Sequence, residues 1–149
     1  MLLTGCFARA LDDKLRVAIP KQVRAVLGGE EGQGVYVAPG TDGSLAIYTE
    51  TAFSRLAERL NDVSPTRQDV RAFTRLFYAR AQRAEIDGQG RIRIPQELAT
   101  LARLQKEVVL LGVQDHLELW AVESWNTYLE EKQTHYDAIA EAALGGSES

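Results

Sequence analysis

Two segments of the chain alternate polar and apolar residues and then reach a proline. Residues 91–94 read Arg-Ile-Arg-Ile and precede Pro95, and residues 16–19 read Arg-Val-Ala-Ile and precede Pro20. Alternation at period two predicts a strand whose apolar residues face the core while the intervening residues share the other face. Proline suits the first turn of a helix, and apolar residues then recur at helical spacing. Each segment therefore predicts a short strand followed by a helix.

Further strands and helices are predicted in two matching sets. Strand pairs are predicted at 35–37 with 46–48 and at 108–111 with 118–120, each followed by a helix, at about 50–60 and 123–132. An arginine-rich helix over 64–84 is predicted to join the two sets. Gly28 and Gly29 predict the end of the first helix, and residues 142–149 are expected to fray.

These sets are copies of one unit. Residues 12–20 and 87–95 both read Asp-x-x-x-Arg, then an alternating strand, then proline, at an offset of 75. Residues 45–48 match 117–120 at an offset of 72. One copy alone buries little apolar surface, so we expect both to share one pseudo-twofold domain, with leftover apolar surface driving oligomerisation.

The two loops differ at the residue before the motif arginine. The second copy has Gly90 there and the first has Leu15. Glycine permits positive φ, so the sequence leaves open whether both loops take one conformation. The motif aspartates, Asp12 and Asp87, are expected to lock the loop through a salt bridge, to orient the neighbouring arginine, or to do both at once.

Charge is unevenly distributed along the chain. The formal net charge is −4, yet residues 1–28 carry five Lys or Arg against two Asp, and residues 63–84 carry five Arg against one Asp. A basic face opposite an acidic face is therefore expected. Cys6, the only cysteine, excludes an intrachain disulfide and a four-cysteine zinc site, and is expected to be a small buried residue. Nothing in the sequence has the length of a membrane span.

These features together resemble the MraZ family of the AbrB-like swapped-hairpin superfamily. The similarity covers roughly residues 1–140 and rests on Gly5, both Asp-x-x-x-Arg motifs with their prolines, the arginine-rich joining segment and the Leu-Glu-Leu-Trp stretch at 117–120. It implies an α+β fold in which two AbrB-like repeats form a pseudo-twofold swapped-hairpin β-barrel with flanking and joining helices. We expect a first repeat at 1–62, a joining helix at 63–84, a second repeat at 85–132 and an acidic tail at 133–149.

The resemblance also implies a function. It implies a sequence-specific regulator of transcription that binds double-stranded DNA, without catalytic activity, in the cytoplasm at the nucleoid. A ring of several subunits would meet direct repeats upstream of its own division and cell-wall gene cluster. Four residues would lie nearest the DNA and two would assist: Lys14, Arg16, Arg91 and Arg93, with Arg9 and Lys21. The arginine row formed by Arg67, Arg71 and Arg75 is expected to contact acidic residues of a neighbouring subunit.

Two other function classes are each compatible with part of the sequence. An enzyme would use a carboxylate cluster, if the loops meet across the axis, made of Asp12, Asp13, Glu85 and Asp87. The neighbouring arginines argue against this because they keep the carboxylates ionised and occupied. An antitoxin-like module would bind a protein partner through its tail, but that tail is short and acidic. His116 and His135 lack metal-ligand spacing, and no cofactor, metal or small-molecule site is expected.

Overall fold

A computed structural model describes residues 2–27 and 34–145. The elements of the first repeat are β1 Cys6–Ala10, β2 Arg16–Ala18, α1 Lys21–Leu27, β3 Gly34–Pro39, β4 Leu45–Thr49 and α2 Glu50–Asn61. Helix α3, Gln68–Arg80, leads into the second repeat. Its elements follow in the same order: β5 Gln82–Glu85, β6 Arg91–Arg93, α4 Gln96–Leu101, β7 Glu107–Val113, β8 His116–Ala121 and α5 Val122–Lys132. A 3-10 turn, Gln133–His135, precedes α6, Tyr136–Gly145.

The strands of the two repeats are interleaved. A six-stranded antiparallel sheet has the order β1-β7-β8-β4-β3-β5, so the first strand of each repeat lies beside the hairpin of the other. β2 and β6 pair with each other as a separate two-stranded ribbon. The α+β class, the predicted hairpins and the helices after them are confirmed.

The closed barrel that the family resemblance implied is not found in the described part of the chain. β1 and β5 are the two edges of the six-stranded sheet. Closure would require these strands to pair with each other. Instead each continues through its Asp-x-x-x-Arg loop into β2 or β6, and those strands use their hydrogen bonds to form the ribbon.

The main core lies between the ribbon and the inner face of the six-stranded sheet. Val17 and Ile92 face each other across the ribbon and are 0% and 1% exposed. They join one buried cluster with apolar residues of the central strands, among them Ile47 and Leu119. Burial of each such side chain contributes about 1.5–3 kcal/mol. The alternation read from the sequence thus places the arginines of the ribbon on its outer face.

Aromatic residues cover the outer face of the sheet at equivalent places in the two repeats. Trp120 and Trp125 have ring centroids 5.3 Å apart, and Tyr48 and Phe53 have theirs 5.7 Å apart. The match follows the repeat, because in each copy the last strand of the hairpin packs against the helix that follows it.

Three local expectations differ from the structure. The joining helix expected over 64–84 begins at Gln68 and ends at Arg80, because residues 82–85 pair with β3 as β5 and that pairing outweighs the helical periodicity. Cys6 is exposed rather than buried, since it lies on the edge strand β1 and its side chain faces outward. Residues 142–145 belong to α6 instead of fraying. The expected helix end at Gly28 and Gly29, and residues 146–149, lie outside the described residues.

Candidate nucleic-acid interface

The first Asp-x-x-x-Arg loop is organised by one carboxylate. Oδ1 of Asp12 accepts hydrogen bonds from the backbone N–H groups of Lys14 and Arg16, at 2.9 and 2.8 Å. Its Oδ2 accepts from Nε of Arg16 at 2.7 Å. The backbone closes the same turn, with N–H of Leu15 donating to the carbonyl of Asp12 at 2.9 Å. The short side chain of aspartate reaches these donors two and four residues later, which explains the spacing of the motif.

The second loop repeats this arrangement. Asp87 accepts from the backbone N–H groups of Gln89 and Arg91 and from Nε of Arg91, each at 2.9 Å. The backbone N–H of Gly90 donates to the carbonyl of Asp87 at 2.9 Å. Each aspartate therefore both locks its loop and orients its arginine, and it uses only Nε of the guanidinium for the second task.

Leu15 takes the same backbone conformation as Gly90, which the sequence had left open. Their φ angles are +62° and +77°. A non-glycine residue in this region costs about 1–2 kcal/mol. The side chain of Leu15 packs against the main core, and this burial offsets the cost. The two loops are thus equivalent in backbone geometry despite the difference in sequence.

The loops meet across the pseudo-twofold axis. The backbone N–H of Ile19 donates to the carbonyl of Gly90 at 2.9 Å, and that of Ile94 donates to the carbonyl of Leu15 at 2.7 Å. Nη1 of Arg91 also lies 4.0 Å from Oδ2 of Asp12. Each repeat therefore holds the loop of the other in place.

Three arginines share the outer face of the β2/β6 ribbon. In the ribbon register Arg16 lies opposite Arg93, and Arg91 lies opposite Ala18. Like charges directly opposite each other destabilise a strand pair. Asp12 and Asp87 offset part of the positive charge of Arg16 and Arg91, and Arg93 is exposed. Lys14 is also exposed, in the first loop. This cationic surface, which we call the ribbon face, is well suited to bind a polyanion.

Arg9 and Lys21, expected to assist at the DNA, occupy different settings. Nε of Arg9 donates to the carbonyl of Ala18 at 3.2 Å and Nη1 donates to that of Ala8 at 2.9 Å, so Arg9 braces β1 against β2. Lys21 is exposed at the first residue of α1, directly after the ribbon strand and Pro20.

The carboxylates of the loops are held in their ionised form. The pKa of Asp12 and the pKa of Asp87 are both lowered, first by the backbone N–H of Arg16 or Arg91. In the enzyme alternative these two would join Asp13 and Glu85, but Glu85 pairs with Arg83 at 3.3 Å. Within residues 2–27 and 34–145, no group of three or more His, Cys, Asp or Glu is placed to hold a metal ion. The loop aspartates thus act as hydrogen-bond acceptors inside the loops.

One residue at these loops was not singled out from the sequence. The guanidinium of Arg24, in α1 of the first repeat, lies against Gly90 of the second loop. Comparison of the two repeats points to this residue. Arg24 of the first repeat aligns with Ala99 of the second, and Leu15 of the first aligns with Gly90 of the second. Among the differences between the repeats, these two thus fall at positions whose residues contact each other.

Comparison with known proteins identifies the family. A family model described as "MraZ protein, putative antitoxin-like" matches twice, over residues 2–76 and 77–146. The chain belongs to the MraZ family. A relative from Finegoldia magna named "Transcriptional regulator MraZ" is 39% identical over 131 residues, covering 88% of this chain and 89% of its own. One of the same name from Lactiplantibacillus plantarum is 39% identical over 137 residues, covering 92% and 94%.

Similar coverage extends to other members of the MraZ family. A "Transcriptional regulator MraZ" from Heliobacterium modesticaldum is 36% identical over 143 residues, covering 96% of this chain and 97% of its own. The relatives are named as transcriptional regulators, and the family is non-enzymatic. The expectation that the chain is not an enzyme is therefore confirmed. No helix within the described ranges is long and apolar enough to cross a membrane.

Proposed function

We propose that the chain is a transcriptional regulator that binds a specific sequence of double-stranded DNA through the ribbon face. The observation that carries this proposal is the placement of Arg16, Arg91 and Arg93 together on the outer side of one two-stranded ribbon. Two-stranded ribbons fit the major groove of B-form DNA, where an arginine can donate two hydrogen bonds to a guanine. Membership of a family whose relatives are named transcriptional regulators supports the same conclusion.

The aspartates suit this role because of the atom they bind. Asp12 and Asp87 each accept from Nε of their arginine, at 2.7 and 2.9 Å. The terminal Nη groups are then the donors that remain for a guanine edge or a phosphate. An arginine already oriented by a carboxylate loses less conformational entropy when it binds. Lys14 and Lys21, both exposed, add phosphate contacts, and Arg9 supports the strand beneath them.

We also propose that several subunits act together, as a ring on direct repeats upstream of the chain's own gene cluster, in the cytoplasm at the nucleoid. One ribbon touches few base pairs, so high affinity requires several linked contacts. Phe73 and Leu76 of α3 are 44% and 59% exposed and offer apolar surface for a neighbouring subunit.

We further propose that the chain is divided into two repeats, 1–62 and 85–132, which exchange hairpins. The segment 63–84 joins the repeats, and the tail 133–149 follows them.

The arginine row of α3 enters this assembly in part. Arg67 pairs with Asp69 at 2.7 Å, and Nη1 of Arg71 donates to the carbonyl of Thr66 at 2.6 Å. These two residues therefore stabilise the start of their own helix. Arg75 is exposed, and it is the member of the row that we assign to contacts between subunits.

A protein-binding role is the second candidate, because of α6. This helix leaves Tyr136, Ile139 and Leu144 exposed at 70%, 45% and 85%. The tail thus offers more apolar surface than its acidic sequence suggested. An antitoxin-like module would use it to bind a protein, and the family model that matches the chain is described as antitoxin-like.

The test is a binding titration with the DNA immediately upstream of the chain's own gene, against an unrelated fragment of equal length. We expect Arg16→Ala, Arg91→Ala and Arg93→Ala each to weaken binding to the upstream DNA. The loss should be about 1–3 kcal/mol for an arginine that contacts a base. Arg55→Ala, which removes an exposed arginine of α2, is the matched control and should leave binding unchanged.

The outcomes separate the two candidates. Tight binding to the upstream fragment that survives competition, and that falls in the three ribbon variants alone, supports the regulator. Equal or absent binding to both fragments would exclude sequence-specific recognition of this DNA and favour the protein-binding role.

A further inference from the structure

Arg24 occupies a place that only glycine at position 90 allows. A Cβ atom on Gly90 would lie 2.5 Å from Cζ and 2.8 Å from Nε of Arg24, and would also meet its Nη1. Several guanidinium atoms are thus about equally close to this one point, so the group lies over the backbone of the loop. The loop that carries Arg91 is therefore in direct contact with a further arginine from the other repeat.

The first loop has no equivalent of this contact. The position that corresponds to Arg24 in the second repeat is Ala99, which is 4% exposed. The position that corresponds to Gly90 is Leu15, which packs against the cluster that includes Ala99. The second loop thus combines Gly90 with the long side chain of Arg24. The first loop combines the larger Leu15 with the small Ala99. The result is one arginine-bearing loop and one apolar loop on similar backbones.

Nothing in the described residues neutralises Arg24. Its Nε is buried and has no hydrogen-bond partner there, although the residue as a whole is only half-buried. Asp87, the carboxylate of this loop, already accepts from Gln89 and Arg91. The buried Nε without a partner carries a desolvation cost, and an anion bound beside the guanidinium would neutralise the charge that raises this cost.

We propose that Arg24 is a further DNA-binding residue, which contacts a phosphate beside the second loop, and that Gly90 is required so that it can do so. This inference rests on the proposed DNA-binding function. It makes the two loops unequal: the second brings Arg24 and Arg91 to the DNA, whereas the first brings Arg16 and Lys14. Because phosphate contacts hold no sequence information, Arg24 contributes affinity and orientation rather than base preference.

The expected size of the effect follows from counterion release. The slope of log affinity against log salt is negative, and one lost phosphate contact reduces its magnitude by about 0.9 for each subunit that touches the DNA. At about 0.1 M monovalent salt, this corresponds to roughly an eightfold loss of affinity per contact. The loss should be nearly the same on the upstream fragment and on the unrelated fragment.

The experiment compares Arg24→Gln with wild type, Arg91→Ala and the control Arg55→Ala on both fragments, from low to physiological salt. Glutamine keeps a planar amide over Gly90, so it removes the charge while largely filling the space. Arg24→Ala, checked for folding by thermal unfolding, is the second variant. We expect both Arg24 variants to make the salt dependence shallower and to lower the affinity on both fragments.

Three results would count against the proposal in distinguishable ways. Unchanged slope and affinity in folded Arg24→Gln, with binding lost in Arg91→Ala, would overturn the role of Arg24 and leave the DNA-binding function intact. A loss confined to the upstream fragment would also overturn the phosphate contact, because it would indicate base recognition. Absence of binding by wild type would overturn both proposals.

Discussion

Replacement of Gly90 by alanine tests whether the packing of Arg24 is a real constraint on the fold. The change forces a side chain into φ +77° and places a Cβ atom 2.5 Å from Cζ of Arg24. The backbone cost of that conformation is about 1–2 kcal/mol, and overpacking against the displaced guanidinium adds about 1–3 kcal/mol. We therefore expect Gly90→Ala to reduce the free energy of unfolding by about 2–5 kcal/mol, combining these two contributions.

The packing contribution can be isolated by a double-mutant cycle. In an Arg24→Ala background the guanidinium is absent, so Gly90→Ala should cost only the backbone contribution of about 1–2 kcal/mol. The difference between the two backgrounds is the coupling between the positions, expected at about 1–3 kcal/mol. The assay is urea unfolding of the four proteins at one protein concentration, because an oligomer's stability depends on concentration. Equal costs of Gly90→Ala in both backgrounds would contradict this coupling and show that Arg24 moves aside freely.

Two further predictions concern the core and the pH response. Ile92→Ala should reduce the free energy of unfolding by about 2–5 kcal/mol, since Ile92 is 1% exposed beneath the ribbon face; a loss below about 1 kcal/mol in urea unfolding would mean that the ribbon does not seal the core. The pKa of His116 is raised above 6.5, first by its contact with Glu118 and then by its hydrogen bond with Asp115. The stabilisation by charged His116 is therefore fully present below pH 6.5, and it is lost as the pH rises through the higher pKa of His116 in the folded state. The stability difference between wild type and His116→Gln should shrink with rising pH across this range, and a difference that grows would contradict the assignment.

Local patterns predicted the ribbon strands and their loops correctly because the causes are local. The alternation at Arg91–Arg93 places Ile92 inward, and the Asp-x-x-x-Arg spacing lets one carboxylate reach donors two and four residues along. Both effects depend only on strand period and on the reach of a short side chain. The equivalent positions of Tyr48 and Trp120 in the two repeats also followed from the alignment of the copies.

Other features depended on contacts that periodicity does not encode. The helical pattern over 64–84 gave no reason to stop at Arg80, since β5 forms only because β3 offers it an unpaired edge. Similarly, Leu15 alone does not predict a φ of +62°, which is maintained by the packing of its side chain and by the hydrogen bond from Ile94. These contacts join residues far apart in the sequence, and their energies are decided by the assembled core.

Spacing and alternation along the chain are enough to identify the two repeats, the positions of the ribbon strands, the class of fold and the motif that carries Arg16 and Arg91. The folded structure was needed to show that β2 pairs with β6, so that Arg16 lies opposite Arg93 and the loops of both repeats form one cationic surface. It alone placed Arg24 over Gly90. The physical reason is that strand register and side-chain packing between the repeats depend on burial of the shared core, whereas the motifs depend on the chain within a few residues.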